Sequence, residues 1–450
     1  MTEMVDLSGK RVVVVGLGTS GVAACRLLLS RGARVVATDA KSREACGKDV
    51  LELETAGAEL VLGGHAGAKL ETADLVVVSP GVPLFPELAA AEKAGVRIWG
   101  EVELAVQSLR HPAPIVAVGG TNGKSTTTEL VGAMLAAAGK KVFVGGNLGE
   151  PLAAHADEAF DVIVLEVSSF QMERIESFRP KVSILLNITA DHLDRYAGMD
   201  DYAAAKGNAF RNQTEDDIAV IPAGDRTCLT QARRGFAWIT TFGDAGDIDV
   251  TEELVVHREQ GVTVPRTELV LQGHHNAMNF GAAMAAAIAL EVPDAAIHEV
   301  ARTFKGLPHR MVFVAEHRGV RFYDDSKGTN VGASVTALLG TSEPKVVLVA
   351  GGKDKGGSYG PLVDALRRKG RAAVLIGEAT DLIASAIGDA VPVRRASSME
   401  EAVRLSAELA QPGDAVLLSP ACSSFDMFKD YKQRGDVFVK AVKALVSGAT

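Results

Sequence analysis

A glycine-rich turn near residue 120 carries the clearest chemistry in this sequence. The apolar run 114–118 leads into a turn, and Lys124 and Ser125 follow at the start of the helical pattern 126–135. Backbone N–H groups in such a turn cradle phosphate oxygens, a lysine reaches the outer phosphates and a serine hydroxyl ligates Mg²⁺. The pattern indicates a nucleoside triphosphate site, although Val118 stands where the usual motif has its first glycine. An ordinary glycine turn before a helix is the alternative.

A second glycine loop lies near the start of the chain. Gly16, Gly18 and Gly21 follow the strand pattern 11–15, and Asp39 ends the next strand pattern. An acid about 20 residues after such glycines is typical of dinucleotide binding, which alone would indicate an NAD-dependent dehydrogenase. A nucleotide-sugar diphosphate fits the same geometry, and a tight turn without a ligand is the third possibility. A phosphate loop in the same chain makes hydride transfer the less favoured interpretation.

Polar residues also follow two apolar strand patterns of the central region. Glu166 comes directly after the run 162–165, and Asp191 and His192 come shortly after the run 182–186. The carboxyl ends of parallel strands share one edge of a sheet, where ligands bind. We therefore expect Glu166 to ligate Mg²⁺ beside Ser125, with Asp191 and His192 at the same edge.

Composition limits the possible classes of protein. The chain has 450 residues, is 47% hydrophobic and has a net charge of −9, so it has ample core and no general basic field for nucleic acid. Its four cysteines are scattered, which argues against a disulfide framework or a zinc site and favours a reducing cytoplasm. No apolar stretch is long enough to suggest a membrane span. We expect a cytoplasmic monomer without nucleic-acid or membrane partners.

Strand and helix patterns alternate along the whole chain, which predicts an α/β protein with three doubly wound domains around a shared cleft. The expected domains are 1–110, 111–307 and 308–450, with a proline-containing linker at 111–114. Within the second block, the polar stretch 244–267 suggests a small antiparallel excursion, and an alanine-rich helix begins at Asn276.

Five motifs resemble those of the Mur ligase superfamily, which makes the cytoplasmic peptidoglycan precursor and has the folylpolyglutamate synthases as relatives. They are the runs 120–126, 145–149, 166–171, 187–194 and 307–310. The resemblance implies a Rossmann-like domain for a UDP-sugar, a central P-loop domain for ATP and a Rossmann-like C-terminal domain for an amino acid.

Three further runs, 16–21, 191–196 and 419–435, resemble the branch of the family that adds D-glutamate. This implies a cytoplasmic ligase that uses ATP to convert UDP-N-acetylmuramoyl-L-alanine (UDP-MurNAc-L-Ala) into an acyl phosphate, which the amine of D-glutamate attacks. A family member with another amino acid is one alternative. A folylpolyglutamate synthase is another, but it would lack the first glycine loop.

The resemblance also implies residue roles for ATP and Mg²⁺. Lys124 neutralises phosphate charge, and Lys327 steadies the transferring phosphate. The metal ligands are Ser125, Glu166, His192 and Lys206. The remaining ATP residues are Gly120, Thr121, Asn122, Gly123, Thr126, Asn276, Asn279, Arg310 and Asp325.

Lys206 matches the family's carbamylated lysine. A carbamate is anionic and offers oxygen ligands, whereas an ammonium group would repel Mg²⁺. Without the resemblance, Lys206 would be interpreted as an exposed helix lysine.

For the UDP-sugar, the resemblance points to residues in the first and second blocks of the chain, and for D-glutamate it points to residues in the C-terminal block. The UDP-sugar residues are Leu17, Gly18, Thr19, Asp39, Ser79, Asn147, Ser168 and Gln171. The D-glutamate residues are Thr329, Lys355, Ser424, Phe425 and Tyr431.

Overall fold

The computed structural model describes residues 5–193, 195–356 and 358–448. By their contacts, the described residues form two compact units. The first holds the described residues up to Ile188 together with Asp200–Phe304, and the second holds Thr189–Met199 and the described residues from Lys305 onward. Within the described ranges, no helix combines the length and apolar character needed to cross a bilayer.

The first sheet of the first unit is fully parallel, with strand order β3-β2-β1-β4-β5. Its central strands are valine-rich and buried because helices cover both faces. The strands are β1 (Arg11–Val15), β2 (Arg34–Asp39), β3 (Glu59–Leu62), β4 (Leu75–Val78) and β5 (Ile98–Gly100). The helices are α1 (Thr19–Ser30), α2 (Lys48–Thr55), α3 (Pro86–Lys93) and α4 (Glu101–Gln107).

The second sheet has nine strands in the order β14-β13-β12-β11-β10-β9-β6-β8-β7. Its strands are β6 (Ile115–Gly119), β7 (Val142–Gly146), β8 (Val162–Glu166), β9 (Val182–Leu185), β10 (Ile218–Pro222), β11 (Trp238–Gly243), β12 (Ile248–Val250), β13 (Leu254–His257) and β14 (Thr263–Pro265). Its helices are α5 (Lys124–Ala137), α6 (Ser169–Met172), α7 (Met199–Gly207), α8 (Arg226–Ala232), α9 (His274–Ala289) and α10 (Asp294–Thr303). The last three strands pair antiparallel, as the polar stretch 244–267 predicted.

The buried carboxylate of Glu103 joins these two sheets within the first unit. Glu103 lies on α4 and accepts hydrogen bonds from the backbone N–H groups of Glu176, Ser177 and Phe178 at 2.9–3.0 Å. Several N–H donors on one carboxylate compensate its removal from water. The two sheets therefore belong to one unit despite the linker between them.

The second unit contains a six-stranded sheet in the order β15-β16-β20-β17-β18-β19, parallel except at β15. Its strands are β15 (Val312–His317), β16 (Val320–Asp324), β17 (Val346–Gly351), β18 (Gly370–Ile376), β19 (Val393–Arg395) and β20 (Ala415–Leu418). Its helices are α11 (Val331–Gly340), α12 (Gly360–Lys369), α13 (Thr380–Ile387), α14 (Met399–Leu409) and α15 (Tyr431–Ser447). Each of the three sheets has its own helices, which confirms the prediction of three α/β domains; the first two belong to the first unit.

Candidate functional site

The phosphate loop joins β6 to α5 and contains two glycines in left-handed conformations. Gly120 has φ +137° and Gly123 has φ +88°, a region that residues with a Cβ rarely adopt. Space is limited too, because a Cβ on Gly123 would lie 2.4 Å from Oδ1 of Asn279. Asn279, expected to bind ATP, therefore lies directly against the loop.

Asn187 braces the phosphate loop from the end of β9. Its Oδ1 accepts from the N–H of Asn122 at 2.9 Å, and its Nδ2 donates to the carbonyl of Asn122 at 3.0 Å. The N–H of Thr121 also donates to the Asn187 carbonyl at 3.0 Å. Sequence reasoning gave Asn187 no role, although it lies in a family-like motif.

Two lysines reach the same loop. Lys124 Nζ donates to the carbonyls of Gly120 and Thr121 at 3.0 and 2.8 Å. Lys206 Nζ, carried by α7, donates to the Gly120 carbonyl at 2.8 Å and lies 4.5 Å from the ring centroid of Tyr202. Lys206 is only 5% exposed, so its interpretation as an exposed helix lysine is wrong.

Glu166 ends β8, between the ends of β6 and β7, where it is paired in register with Val118 and Gly146. Its side chain is buried, and Oε1 accepts from Nδ2 of Asn147 at 2.7 Å. Its Oε2 is buried and has no hydrogen-bond partner among the described residues. A buried carboxylate oxygen without a partner is costly unless a cation or a donor reaches it.

These residues fit a magnesium ion that is completed by substrate. Among the described residues, no group of three or more His, Cys, Asp or Glu side chains is arranged to hold a metal. Mg²⁺, however, is commonly bound by one or two carboxylates together with phosphates and water. Oε2 of Glu166, which accepts no hydrogen bond from the described residues, and the hydroxyl of Ser125, the second residue of α5, suit that role.

The first glycine loop is tied together by residues expected to bind the UDP-sugar. Both oxygens of Asp39 accept backbone N–H groups, one from Leu17 at 2.7 Å and one from Lys41 at 2.9 Å. The hydroxyl of Ser79 donates to the Gly16 carbonyl at 2.6 Å. The structure therefore brings these residues together at the carboxyl ends of β1, β2 and β4. Gly18 and Thr19 begin α1 there.

Four further residues expected to contact substrates make hydrogen bonds within the protein. Ser168 and Gln171 form a reciprocal capping box at the start of α6, with side-chain-to-backbone distances of 2.9 and 3.3 Å. Asn276 donates to the Gln272 carbonyl at 2.8 Å. Asn147 donates to Glu166, as described above. Thr126, also expected at the ATP site, is buried in α5.

In the second unit, Asp325 is fully buried after β16. Its Oδ2 accepts from the hydroxyl of Ser419 at 2.7 Å, and Oδ1 lies 3.5 Å from Nη1 of Arg310. Burial raises the pKa of Asp325 from 3.8 to about 6, against the opposing influence of Arg310 and Ser419. Arg310 and Asp325, both expected at the ATP site, thus form a pair.

Lys327 contacts Tyr431 at the start of α15. Its Nζ donates to the Tyr431 hydroxyl at 3.3 Å and lies 5.0 Å from the ring centroid. The N–H of Thr329 donates to the Lys327 carbonyl at 2.9 Å. Lys327, expected near the transferring phosphate, is therefore adjacent to Thr329 and Tyr431, which are expected near the amino acid.

The segment Thr189–Met199 groups with the second unit. Asp191 Oδ1 lies 3.6 Å from Nζ of Lys355, and its Oδ2 accepts from Nδ2 of Asn330 at 3.2 Å. His192 follows with φ +56°, and its Nε2 lies 3.7 Å from Asp191 Oδ2. Through Asp191, His192 is therefore associated with Lys355. The other expected metal ligands, Ser125, Glu166 and Lys206, belong to the first unit.

Arg434 of α15 is a functional candidate that sequence reasoning missed. It is 1% exposed, and its guanidinium donates to the hydroxyl and carbonyl of Ser326 at 3.0 and 2.8 Å and to the Cys422 carbonyl at 3.2 Å. Desolvation lowers its pKa from 12.5 to about 10, so it stays protonated at neutral pH. It ties the loop before Lys327 to the loop holding Ser424, which is buried, and Phe425, which is exposed.

The comparisons with known proteins agree with this arrangement. The Mur ligase MurD-like N-terminal domain matches residues 10–100, the Mur ligase middle domain matches 118–287, and the Mur ligase glutamate ligase domain matches 309–422. The chain belongs to the Mur ligase family. Among its relatives are UDP-N-acetylmuramoylalanine–D-glutamate ligases of Syntrophotalea carbinolica and Pelobacter propionicus. Each is 45% identical over 98% of this chain, and the matches cover 99% and 100% of the two relatives.

Solved Mur ligases share the fold. MurF from Thermotoga maritima, in complex with ADP, matches with a TM-score of 0.63 at 17% identity over 93% of this chain and 96% of that one. The UDP-N-acetylmuramate–alanine ligase MurC of the same organism matches with a TM-score of 0.61 at 20% identity over 97% of this chain and 100% of that one. Membership of the Mur ligase family sets aside the dehydrogenase interpretation of the first glycine loop.

Proposed function

We propose that this chain uses ATP to join D-glutamate to UDP-MurNAc-L-Ala in peptidoglycan precursor synthesis. The L-alanyl carboxylate attacks the γ-phosphate and releases ADP, and the D-glutamate amine then displaces phosphate from the acyl phosphate. The proposal rests on the phosphate loop beside a buried oxygen of Glu166 that has no hydrogen-bond partner in the described part of the chain. The similarity to D-glutamate ligases over nearly the whole chain supports the choice of substrates.

ATP phosphates lie in this proposal at the loop 120–126, where backbone N–H groups and Lys124 neutralise their charge. Phosphoryl transfer depends mainly on such alignment and charge stabilisation. Ser125 and Glu166 would hold one Mg²⁺, and His192 and Lys206 would hold another. The magnesium ions would neutralise phosphate charge. Asn276, Asn279, Arg310 and Asp325 are assigned to the adenosine part of ATP.

Lys206 is assigned a carbamate in this mechanism. Its ammonium group would first release a proton, and the neutral amine would then add to CO₂ with loss of a second proton, which replaces a cation by an anion with two oxygen ligands. Support comes from its burial and from its position against the Gly120 carbonyl of the phosphate loop. An ammonium group at this place would repel a divalent cation.

The domains 1–110, 111–307 and 308–450 are assigned mainly to the UDP-sugar, to ATP and to the amino acid, in that order. Lys355 supplies a cation for a D-glutamate carboxylate, and Lys327 steadies the transferring phosphate. The other D-glutamate residues are Thr329, Ser424, Phe425 and Tyr431. The UDP-sugar residues are Leu17, Gly18, Thr19, Asp39, Ser79, Asn147, Ser168 and Gln171.

A coupled ADP-release assay tests this function. Purified protein is supplied with ATP, Mg²⁺, UDP-MurNAc-L-Ala and one member of a panel that contains D-glutamate, L-glutamate, lysine and meso-diaminopimelate. We expect ADP release with D-glutamate, dependent on the UDP-sugar, and loss of that release in Lys124→Ala. Turnover with a different amino acid would replace the substrate assignment, and turnover with a folate in place of the UDP-sugar would replace the proposed function.

A further inference from the structure

The two oxygens of the Glu166 carboxylate have different environments. Oε1 accepts a hydrogen bond from Nδ2 of Asn147 at 2.7 Å, whereas Oε2 has no partner among the described residues. The Glu166 side chain is 3% exposed, so bulk water does not solvate the second oxygen freely. One oxygen is therefore held by the protein, and the other is left for a ligand.

Asn147 is held against Glu166 by the backbone as well. Its N–H donates to the Glu166 carbonyl at 2.9 Å. Gly146 precedes it with φ +100°, and a Cβ there would lie 2.6 Å from the same carbonyl oxygen. Only a glycine lets the chain approach so closely. The glycine before Asn147 thus allows one residue to contact both the backbone and the side chain of Glu166.

We propose that Asn147 is a positioning residue for the divalent cation, acting through Glu166. Its amide N–H fixes the carboxylate so that Oε2 points toward the cation. Partners of this kind orient metal ligands, and their loss typically weakens metal binding by about 10- to 100-fold. The inference rests on the proposed role of Glu166 as a magnesium ligand. It gives Asn147 a task in addition to the UDP-sugar contact that the family resemblance implies.

Mn²⁺ binding separates these two roles without measuring activity. Free Mn²⁺ is titrated by electron paramagnetic resonance against the full chain with ADP bound, and the affinity for UDP-MurNAc-L-Ala is measured by calorimetry in EDTA. For Asn147→Ala we expect about 10- to 100-fold weaker Mn²⁺ binding already in the absence of the UDP-sugar. Weaker UDP-sugar binding with unchanged Mn²⁺ binding would overturn the inference.

A double-mutant cycle tests whether Asn147 acts through Glu166. If it does, Asn147→Ala combined with Glu166→Gln should bind Mn²⁺ as weakly as Glu166→Gln alone, because one interaction is lost in both. Additive losses would overturn the inference but keep Glu166 as a metal ligand. Normal Mn²⁺ binding by Glu166→Gln would refute the metal assignment itself, and the inference with it.

Glu150→Gln provides the matched control. Glu150 lies on the same turn, but its carboxylate is largely exposed and pairs with Nε2 of His155 at 2.6 Å. We expect Mn²⁺ affinity to stay unchanged in this variant although it removes a full negative charge nearby. Asn147 is itself exposed, so its replacement by alanine leaves the core intact. An equal loss of Mn²⁺ affinity in both variants would mean that any change in this turn weakens binding, and it would overturn the inference.

Discussion

Lys124 and Lys206 donate hydrogen bonds to one and the same oxygen, the Gly120 carbonyl, at 3.0 and 2.8 Å. The shared acceptor places two ammonium groups beside the phosphate loop, and Lys206 is buried. A phosphate at the loop would meet these positive charges, and a carbamate on Lys206 would replace one of them by an anion. The pair thus suits a site that receives negative charge.

Replacing Lys124 by alanine should reduce ADP release by at least about 100- to 1,000-fold, because it removes charge stabilisation of the transferring phosphate. The thermal unfolding temperature should change little, since the lysine is only partly buried and donates to loop carbonyls. Steady-state kinetics and calorimetry measure both. Lys140→Ala, at an exposed lysine after the same helix, is the control that should stay fully active.

Replacing Lys206 by alanine should abolish most activity, and a short-chain carboxylate in the buffer should restore part of it. The added anion would occupy the place of the carbamate and supply oxygen ligands. Lys206→Arg should stay inactive with or without the carboxylate, because it restores only a positive charge. Full activity of Lys206→Ala without any added carboxylate would contradict the carbamate.

Replacing Arg434 by methionine should destabilise the second unit by about 2–4 kcal/mol, because two buried carbonyls lose their charged donors. The apparent KM for D-glutamate should also rise, since the loops that Arg434 connects carry Lys327 and Ser424. Calorimetry and kinetics give the two readouts. Arg404→Met is the control, because Arg404 is half-exposed and pairs with the surface carboxylates of Glu401 and Glu408.

Central strands could be predicted because their residue types report burial on both faces. The valine run of β1 has the predicted bounds, and β8 and β9 begin at the predicted residues. Short edge strands such as β3 and β19 were missed, since they are partly exposed and show no continuous apolar run. Helix α5 begins at Lys124, before its predicted start, because the phosphate loop ends in Gly123 and the helix follows at once.

The candidate site was predictable only where residue type and position along the chain carry the chemistry. Glu166 ends an apolar strand, and one of its oxygens has no hydrogen-bond partner among the described residues. The bracing roles of Asn187, Asn147 and Arg434 depend on hydrogen bonds to residues distant in the chain. No local pattern encodes such pairings, so sequence reasoning could not identify them.

Replacing Lys355 by alanine should raise the apparent KM for D-glutamate much more than that for ATP. Loss of one charge-assisted contact costs about 2–3 kcal/mol, which corresponds to roughly tenfold to a hundredfold in affinity. The lysine is partly buried and now pairs with Asp191 at 3.6 Å. Lys353→Ala removes an exposed lysine from the same loop and should leave both constants unchanged. Equal increases for all three substrates would mean that Lys355 does not contact the amino acid.

Glu101 makes the stability of the first unit depend on pH. It is 1% exposed; Oε1 accepts from the N–H of Ala153 at 2.9 Å, while Oε2 has no partner among the described residues. Burial raises its pKa from 4.5 to about 7, against the opposing effect of the Ala153 hydrogen bond. Between these values the folded protein keeps a proton that the unfolded chain releases. As the pH rises through this window, Glu101 therefore lowers the free energy of unfolding progressively. Above the window this loss of stability stays constant.

Glu101→Gln should remove this dependence, because the amide oxygen can still accept from Ala153 and no ionisation follows. At about pH 8 the variant should exceed the unmodified protein by up to about 3 kcal/mol in unfolding free energy, and the difference should shrink toward about pH 5. Thermal unfolding across this range measures it. Glu52→Gln, at a half-exposed carboxylate of α2, should show no such gain at either pH. If Glu101→Gln stabilises the protein equally at both pH values, its effect is one of packing, and the proton on Glu101 does not cause it.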